Sequence, residues 1–405
     1  MLIKEIIENP FESLKHMERY VNDGSPSGFS FNYSTSKKYS PVEGIRKFEL
    51  PVFWSDEVRT YGTIPNNLEP FFFVNGERAI PFHPDNISDF PSLQSKIKNS
   101  TFEVSPTASP RTLFAELKNS FYLKLHYKGV LGRIQRAMPF RKAITEVEIS
   151  TLLIDEILSE GNTNFGIFQS PFCNYFSDNE TIDFSFILRQ INPFPVIRTM
   201  PILIPCFSLF SADRFNEKDQ NLLIQILEMK DGDDDYFLDN FIFPVLRMYI
   251  NLSKNHGLIP ELNAQNLVYE FDDKFNFLRP VLRDFMEIEK DITIRSKLNF
   301  KIDFDSISYK TISSLKEDYF IRHSFSFDFK LTHYVILPLV KLYCSHYKVE
   351  LNKILSIVRD FVFTEWGQEI YNHFKPFENW YDVPNQLLVI KSDRKYNTNI
   401  NPILR

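Results

Sequence analysis

The chain has little glycine and few cysteines, and both shortages limit what it can be. Only 12 of its 405 residues are glycine and no stretch is rich in glycine and serine, so the sequence predicts no flexible linker between domains. The three cysteines, Cys173, Cys206 and Cys344, are odd in number, far apart and set in apolar sequence. This pattern indicates reduced, buried thiols, and we therefore expect a cytoplasmic protein.

Neither a membrane nor a nucleic acid is an expected partner. No uninterrupted apolar run is long enough to cross a bilayer, and the amino end carries charges within its apolar pattern and lacks a signal-peptide core. The 46 basic and 52 acidic residues give a net charge of -6. An overall positive field that would attract phosphate backbones is therefore absent.

Familiar short motifs of catalysis are also missing. The sequence contains no glycine-rich phosphate loop, no dinucleotide fingerprint, no HExxH and no paired CxxC, and its 8 histidines form no obvious metal cluster. The acidic run "KDGDDDYFLD" at 230–239 lacks the ligand spacing of a calcium loop and is typical of a solvated connection between helices. Function must therefore be sought in polar residues at the ends of predicted elements.

The chain does have a clear change of hydrophobic period near residue 210. Residues 1–20 predict an amphipathic helix, and from about 48 to 210 apolar and polar residues alternate between turn signals, which predicts an antiparallel or mixed sheet. Beyond that point apolar residues lie three and four apart, which predicts helices. The fold class is therefore α+β. We divide the chain into an N-terminal segment (1–50), a β-rich domain (51–212) and a mainly helical domain (213–405).

A stiff, hydroxyl-rich segment precedes a strand that carries a lysine. "SPTASPRTLF" at 105–114 holds two prolines, two serines and two threonines, which is poor material for the interior of a helix or strand. Lys124 lies on the next strand, and Arg136 follows twelve residues later across an alternating pattern. This pattern allows the hypothesis that Lys124 and Arg136 lie on neighbouring edges of one hairpin and face the same cleft. Spacing alone favours the alternative, an ordinary lysine and arginine at the surface.

A second polar group follows a predicted helix end near His256. "ELNAQN" runs from Glu261 to Asn266, and the next segment is typical of a strand, turn and strand that ends near Asp284. Such a hairpin brings Asn266 and Asp284 side by side, as a Mg²⁺ site of carboxylate and amide oxygens requires. The alternative is a hairpin held by an ion pair between Arg283 and a nearby glutamate, Glu261 or Glu287.

The two groups together contain the chemical types that a nucleoside triphosphate needs. Several cationic donors must surround its non-bridging oxygens, hydroxyl or amide donors must orient it, and oxygen ligands must hold Mg²⁺. Each of these types is present in the two segments. An ATP site with Mg²⁺ is therefore the hypothesis that we carry forward.

These motifs, taken in order, resemble the IucA/IucC family of NRPS-independent siderophore synthetases. That family has a P-T-x-S-x-R-T loop, a strand lysine, an arginine twelve residues later, E-x-H-x-Q-N and R-D-F. The corresponding residues here are Pro106, Thr107, Ser109, Arg111 and Thr112 in the loop, the pair Lys124 and Arg136, and the segments "GLIPELNAQN" and "LRDF". The final "NPILR" is similar to the family's closing N-P-hydrophobic motif.

The resemblance implies a cupped-hand fold, with a β-rich fingers region, a mainly helical palm and thumb, and ATP in the cleft between them. It implies a ligase that adenylates a carboxylic acid and then joins it to an amine or hydroxyl, releasing pyrophosphate and AMP. Phosphates and developing charge would be held by Ser109, Arg111, Thr112, Lys124 and Arg136, with Gln265, Asn266 and Asp284 also at the nucleotide. Mg²⁺ would be held by Glu261, Asn266 and Asp284.

The sequence departs from the family pattern at the places that handle the acid. Asn263 stands where the family has its catalytic histidine, and only Gly28 and Phe29 remain of the family's front motif. The family's H-P-W-Q is replaced by "HPDN", which begins at His83, and its late Lys and Arg by Asn385 or Gln386 and Lys391. For His83 itself, a His-Pro turn with a structural hydrogen bond is the favoured reading, and contact with the substrate is the alternative.

Two functions follow from this pattern. The first is an ATP-dependent ligase in siderophore-like biosynthesis, with small-molecule acid and amine or hydroxyl substrates. The alternative is a catalytically silent relative that binds a nucleotide or a partner protein. A homodimer is a further possibility, because the helical region is rich in phenylalanine and could supply an apolar dimer interface.

Overall fold

The computed structural model describes most of the chain. The described residues are 1–22, 36–41, 43–116, 120–131, 134–159, 161, 163–178, 182–306, 308–309, 324–367, 379–382 and 397–400. Within this part, helices and strands alternate early, and helices dominate after the hairpin near residue 280.

A twisted antiparallel sheet forms the first half of the fold. Its strand order within the described residues is β2-β11-β12-β7-β6-β5-β1-β4-β3, and every neighbouring pair is antiparallel. The strands are β1 (Phe48–Ser55), β2 (Arg59–Gly62), β3 (Phe73–Val74), β4 (Glu77–Pro81), β5 (Ile97–Pro106), β6 (Thr112–Glu116), β7 (Ser120–Leu125), β11 (Phe172–Ser177) and β12 (Asp183–Gln190). A separate hairpin is formed by β8 (Tyr127–Leu131) and β9 (Ile134–Arg136).

Phenylalanine packing fills the core on one face of this sheet. The ring of Phe72, from the short helix α3 (Glu69–Phe72), stacks on Phe102 and on Phe186, each at a centroid distance of 5.2 Å. Phe53 meets Phe184 edge-on at 5.7 Å. Each fully buried phenylalanine contributes roughly 1.5–3 kcal/mol to folding, so the buried phenylalanines of this face, such as Phe53, Phe72 and Phe186, stabilise the sheet substantially.

Two helices at the amino end, α1 (Ile3–Glu8) and α2 (Pro10–Tyr20), confirm that residues 1–20 are helical, although they form two helices that meet at Asn9 and not one. Helix α2 packs on the opposite face of the sheet, and α1 packs on α2. Pro10 takes the first position of α2, where its missing N–H costs nothing. From α2, Phe11 meets Phe114 at 6.0 Å, and Glu18 accepts a hydrogen bond from the Tyr122 hydroxyl at 3.2 Å. Helix α2 therefore fixes one wall above strands β6 and β7.

A second, smaller sheet joins the early and late parts of the chain. Its order is β10-β16-β15-β13, and the predicted hairpin at 267–282 forms its centre. Its strands are β10 (Gly166–Ile167), β13 (Ile202–Pro205), β15 (Leu267–Phe271) and β16 (Phe277–Leu282). Further strands are β14 (Leu258–Ile259), β17 (Glu289–Asp291), β18 (Ser308–Tyr309), β19 (Asn379–Asp382) and β20 (Asn397–Ile400). Because β10 and β13 pair with the hairpin, this sheet spans the boundary that we predict at residue 212, and the domain limits stay a prediction.

The remaining helices pack on the two sheets and on one another. They are α4 (Phe140–Leu153), α5 (Cys206–Phe210), α6 (Leu222–Met229), α7 (Asp234–Phe237), α8 (Phe243–Ile250), α9 (Ile292–Lys297), α10 (Leu337–Tyr347) and α11 (Leu351–Trp366). Helix α4 packs against β11 and β12 of the large sheet. The wide turns of a π-helix extend several of these helices, at Ile154–Leu158, Leu238–Ile242, Asn251–Asn255 and Ser324–Ile336. Such turns aim side chains in directions that a regular α-helix does not allow, and they are frequent near functional sites.

The predicted helix end near residue 256 is confirmed, and its cause is visible. Gly257 has φ +60°, and a Cβ there would meet the Arg295 Cγ at 2.8 Å and the Asp291 carbonyl oxygen at 3.1 Å. Only glycine accommodates both the left-handed backbone and this close approach. The chain can therefore turn directly into β14.

The predicted fold class and the state of the cysteines are also confirmed. The fold combines a large antiparallel sheet with a helical second part, as the change of period indicates. All three cysteines are unpaired and buried. Among the helices that the structure describes, none is long and apolar enough to cross a membrane.

Candidate active site

Strand register gathers one set of polar side chains, which we call the strand side of the site. Thr112 on β6 pairs with Lys124 on β7, and Arg189 on β12 pairs with Tyr122, two residues before Lys124. Because side chains alternate along a strand, Thr112, Lys124 and Arg189 point to the same face of the sheet. This is the face that α2 partly covers.

Lys124 and Asp284 form the central ion pair of the site. The Lys124 Nζ lies 2.6 Å from the Asp284 Oδ1, and the lysine side chain is only 2% exposed. Arg189 Nη2 approaches the same oxygen at 3.9 Å. Burial, aided by the neighbouring arginines and opposed by Asp284 and Glu146, lowers the pKa of Lys124 from 10.5 to about 8. Burial opposes ionisation of Asp284, but Lys124 and Arg189 still hold its pKa well below its usual range.

The hydroxyl-rich loop is held rigid by its own threonine. The Thr107 hydroxyl donates to the Thr112 carbonyl at 2.7 Å and accepts from the Ser109 N–H at 3.2 Å. Arg111, buried at the end of this loop, donates from Nη1 to the backbone carbonyl of Arg136 at 3.0 Å. Burial, together with the nearby Arg136, lowers the pKa of Arg111 to about 10. The loop therefore presents Ser109 and Arg111 in a fixed geometry.

The predicted hairpin of Lys124 with Arg136 is wrong in its topology. Arg136 lies on β9, which pairs with β8 in a separate two-stranded sheet, whereas Lys124 lies on β7 within the large sheet. The chain leaves the large sheet at His126, whose N–H bonds the Ser185 carbonyl at 3.1 Å. Arg136 still reaches the site region, because its backbone carbonyl is the acceptor for Arg111.

The segment 261–266 forms what we call the turn side of the site, and its amides are used within the turn. The Asn263 Oδ1 accepts hydrogen bonds from the backbone N–H groups of Gln265 at 2.9 Å and Asn266 at 3.0 Å. The Asn266 side-chain amide donates to the Glu261 carbonyl at 3.1 Å. Asparagine is well suited to such a turn. The side chain of Asn263 thus shapes the backbone between β14 and β15.

The hairpin places the turn side next to Asp284, as predicted. The Arg283 N–H bonds the Asn266 carbonyl at 3.0 Å, so Asp284 follows directly beyond the end of the pairing. The alternative ion pair of Arg283 with Glu261 or Glu287 is wrong, because the Arg283 guanidinium pairs with Glu18 of α2.

Three carboxylates lie close enough around this turn to interact, those of Glu261, Asp284 and Glu287. Glu261 is paired with the ammonium of Lys330 at 2.9 Å, and Lys330 lies on the π-helical segment Ser324–Ile336. Burial first, and then the charges of Glu261 and Asp284, raises the pKa of Glu287. Such crowding of negative charge is what a bound Mg²⁺ offsets. The described His, Cys, Asp and Glu residues form no group of three poised as a metal centre, so the proposed ligands Glu261, Asn266 and Asp284 stay a prediction.

Sequence reasoning missed several buried charges that support these residues. They are Glu18, Glu146, Arg189 and Lys330. For Glu146 a signal exists: it shares a helical face with Ala143, Val147 and Ser150, which are all buried. A carboxylate on the apolar face of a helix needs partners, because burying it alone is very costly.

The structure also places other residues that the sequence singled out. The buried Nδ1 of His83 accepts a hydrogen bond from the Asp85 N–H at 3.2 Å, which confirms the structural turn. Several positions from the family comparison lie outside the described residues, namely Gly28, Phe29, Asn385, Gln386, Lys391 and the closing "NPILR".

A cavity lies beside the loop. It has a volume of about 800 Å³ and is bordered by α2, by Arg46 and Lys47, and by Ser105 and Pro106 where β5 ends. Lys47 is already paired with Glu103 at 3.2 Å. The cavity gives a small molecule room next to the loop that ends at Arg111.

Solved structures share this fold. The chain is 13% identical to the petrobactin biosynthesis protein AsbB from Bacillus anthracis str. Sterne, with a TM-score of 0.67 over 94% of this chain and 70% of that protein. It is 13% identical to an ATP-bound aerobactin synthetase, IucA from Klebsiella pneumoniae, with a TM-score of 0.70 over 99% of this chain and 80% of that protein. For aerobactin synthetase IucC from the same organism the identity is 15% and the TM-score 0.64, over 82% of this chain and 65% of that protein.

Sequence comparisons are less informative than structural ones. A scan against protein-family models and a search of the curated proteins both find no match. At 13% to 15% identity the structural likeness shows the fold alone, and at that level it confirms the resemblance to the IucA/IucC type.

Proposed function

We propose that this protein is an ATP-dependent ligase of the siderophore-synthetase type, which activates a carboxylic acid and joins it to an amine or hydroxyl. The observation that carries the proposal is the convergence of Lys124, Arg111 and Arg189 around Asp284, on a fold shared with an ATP-bound synthetase. Cations held in a dry, fixed arrangement are what a triphosphate and its departing pyrophosphate require.

The proposed reaction has two steps. A carboxylate oxygen of the acid attacks the α-phosphorus of ATP, the bond to the bridging oxygen breaks, and pyrophosphate leaves. The amine or hydroxyl then attacks the acyl carbon, AMP leaves, and the nucleophile gives up its proton. Lys124, Arg111 and Arg136 are proposed to stabilise the charge that develops on the phosphates in the first step.

The rigid loop would orient the nucleotide before reaction. Ser109 and Thr112 supply hydroxyl groups, and the Thr107 hydrogen bonds fix their backbone in advance. A loop that is already ordered loses less entropy when it binds its ligand. Glu261, Asn266 and Asp284 would hold Mg²⁺, which when bound adds further positive charge to the phosphate region.

Asn263 stands where the related enzymes have a histidine. Its side-chain oxygen, Oδ1, accepts hydrogen bonds from two backbone N–H groups. We propose that it supports the turn and that the cations of the strand side stabilise the phosphates. Loss of one direct charge stabiliser commonly costs roughly a hundredfold in rate. A slow ligase is therefore the expected behaviour.

Calorimetry with Mg²⁺ and ATP tests the proposal. Wild type is compared with Arg136→Ala, which removes a half-buried side chain but keeps the carbonyl that accepts from Arg111. We expect wild type to bind and the variant to bind about tenfold more weakly, the loss of roughly one charged hydrogen bond. Arg198→Ala, at an exposed pair with Asp273, is the control and keeps full affinity.

Three outcomes then separate the possibilities. Release of AMP in the presence of some acid and amine, across a broad panel, supports the ligase. Binding of ATP without any substrate-dependent AMP release points to the catalytically silent alternative. Absence of ATP binding in wild type overturns the proposal. The acid, the nucleophile, a cytoplasmic location and a homodimer stay predictions.

A further inference from the structure

A fully buried carboxylate bonds to the residues that adjoin the Lys124–Asp284 pair. Glu146, on α4, has no exposed surface. Its Oε1 accepts hydrogen bonds from Arg189 Nη2 at 2.7 Å and from the Ser170 hydroxyl at 3.1 Å. Its Oε2 accepts from the backbone N–H groups that immediately follow Asp284, those of Phe285 at 2.9 Å and Met286 at 3.1 Å. Four donors therefore converge on one carboxylate.

The backbone at Asp284 needs this support. Its φ is +71°, in the left-handed region that side-chain-bearing residues seldom adopt. Such a conformation persists only where the surroundings hold it in place. The two backbone hydrogen bonds to Glu146 fix the chain at the next two residues, and so they fix the direction in which the Asp284 carboxylate points.

The same carboxylate also places Arg189. The Arg189 Nη2 is 2.7 Å from Glu146 and 3.9 Å from Asp284, so the guanidinium bridges the buried carboxylate and the site carboxylate. The Arg189 Nε has no hydrogen-bond partner among the described residues. Within the described residues, Glu146 therefore provides the shorter of the two ion pairs of Arg189, the other being with Asp284.

We propose that Glu146 is a positioning residue of the active site, which sets both the orientation of Asp284 and the location of Arg189 for the bound nucleotide. It touches neither substrate nor nucleotide and acts through these two groups. This inference rests on the proposed function, since it assumes that Asp284 and Arg189 act on a bound Mg²⁺-nucleotide. Residues that orient first-contact groups in this way commonly change affinity or activity by about 10- to 100-fold.

Glu146→Gln is the informative variant, and the molecule offers a matched control. Every hydrogen-bond partner of Glu146 is a donor. In Glu146→Gln an NH₂ group replaces one of the two carboxylate oxygens and faces a donor there, so at least one hydrogen bond is lost. Glu270 is an equally buried carboxylate whose Oε2 lies 2.7 Å from Arg279 Nε, within the hairpin of β15 and β16. Glu270→Gln therefore damages a buried ion pair of the same length that does not touch Asp284.

The experiment measures thermal unfolding and Mg²⁺-ATP affinity for the three full-length proteins, together with hydrogen exchange of the peptide that contains Phe285 and Met286. We expect both variants to unfold at lower temperature than wild type. Only Glu146→Gln is expected to bind Mg²⁺-ATP about 10- to 100-fold more weakly and to exchange faster at that peptide. Unchanged affinity in Glu146→Gln, or an equal loss in Glu270→Gln, overturns the inference.

A milder variant covers the case in which Glu146→Gln does not fold. Ser170→Ala removes one neutral hydrogen bond from Glu146 and leaves the charge pair with Arg189 in place. We expect a few-fold loss of Mg²⁺-ATP affinity, the size of one neutral hydrogen bond, with faster exchange at the same peptide. Wild-type affinity and exchange in Ser170→Ala then overturn the inference. If wild type itself binds no ATP, the proposed function fails, and that result is distinct from a variant that binds as wild type does.

Discussion

The strand side and the turn side of the site are built differently. On the strand side, Lys124 and Arg189 extend from neighbouring strands and are held by carboxylates that come from elsewhere in the chain. On the turn side, the side chains of Asn263 and Asn266 bond to the backbone of their own segment. We propose that the first arrangement presents charge to a nucleotide. The second shapes the turn that carries two of the proposed Mg²⁺ ligands, Glu261 and Asn266.

This difference shows that the polar side chains near a site fall into two groups, and that mutating them changes the free energy of unfolding by different amounts. A buried charge held by another charge is costly to unpair, because neither partner can recover its hydration. An amide that caps a turn contributes only the strength of one or two ordinary hydrogen bonds. Mutations on the two sides should therefore differ several-fold in their effect on stability.

Removing Asp284, which joins the two sides, should have the largest effect. Asp284→Ala leaves the 2% exposed Lys124 without its partner at 2.6 Å, and we expect the free energy of unfolding to fall by about 3–5 kcal/mol. Asp284→Asn removes the same charge but tolerates the left-handed backbone, so it should be about 1 kcal/mol more stable than the alanine variant. Urea unfolding measures both.

A surface ion pair provides the control for this prediction. Glu57→Ala breaks a pair with Lys96 at 3.5 Å, both of whose side chains are more than half exposed, and should cost less than about 1 kcal/mol. If Asp284→Asn costs no more than Glu57→Ala, the central pair contributes little to stability and the contrast between the two sides fails.

Acid should destabilise the sheet through its buried histidines. Burial lowers the pKa of His83 and of His126 from 6.5 to about 4. Between these values the unfolded chain binds more protons than the folded one, so stability is full above pH 6.5 and falls as the pH drops toward 4. Each histidine contributes at most about 1.4 kcal/mol per pH unit. Unfolding free energies measured from pH 7 to 5 check this slope.

The contribution of one histidine can be isolated. His126→Phe retains the contacts with Phe90 and Phe184 but loses the hydrogen bond to the Met138 N–H. We expect lower stability at pH 7 and a flatter decline toward pH 5 than in wild type. Parallel curves for wild type and variant would mean that His126 takes up a proton as readily in the folded protein as in the unfolded one.

The smallest effect is expected at the turn side. Asn263→Ala removes the acceptor of two backbone N–H groups, and we expect a loss of about 1 kcal/mol in the free energy of unfolding. Asn263→Asp keeps an oxygen in the same place and should remain near wild type. A loss of Mg²⁺-ATP affinity larger than the loss of stability would show that Asn263 contacts the nucleotide, and the division into two sides would then need revision.

The elements of the fold could largely be predicted from the sequence, since hydrophobic period and turn residues are local signals. The hairpin of β15 and β16 and the helix end at Gly257 are examples. The topology of Arg136 could not be predicted, because whether a strand continues in one sheet or begins another depends on distant partners such as Ser185. The alternation of apolar and polar residues is the same whether the strand stays in one sheet or starts a second one.

Within the site, residue types could be predicted better than their partners. Lys124 and Asp284 are 160 residues apart, and Glu146 lies 139 residues from Phe285. Pairings over such distances are set by tertiary packing, of which a single sequence carries no direct trace. The buried position of Glu146 on an apolar helix face shows that a partner is required, but it does not show which one.

The hydrogen bond from Arg111 to the backbone carbonyl of Arg136 has a consequence for protein engineering. Because the acceptor is main chain, the connection between the loop and β9 does not depend on which side chain occupies position 136. That position can be randomised to test other ligand chemistries while the placement of Arg111 is retained. Proline is also permitted as far as this bond is concerned, since it keeps its carbonyl oxygen. Position 136 is therefore a natural first choice for a library that probes the proposed ligand site.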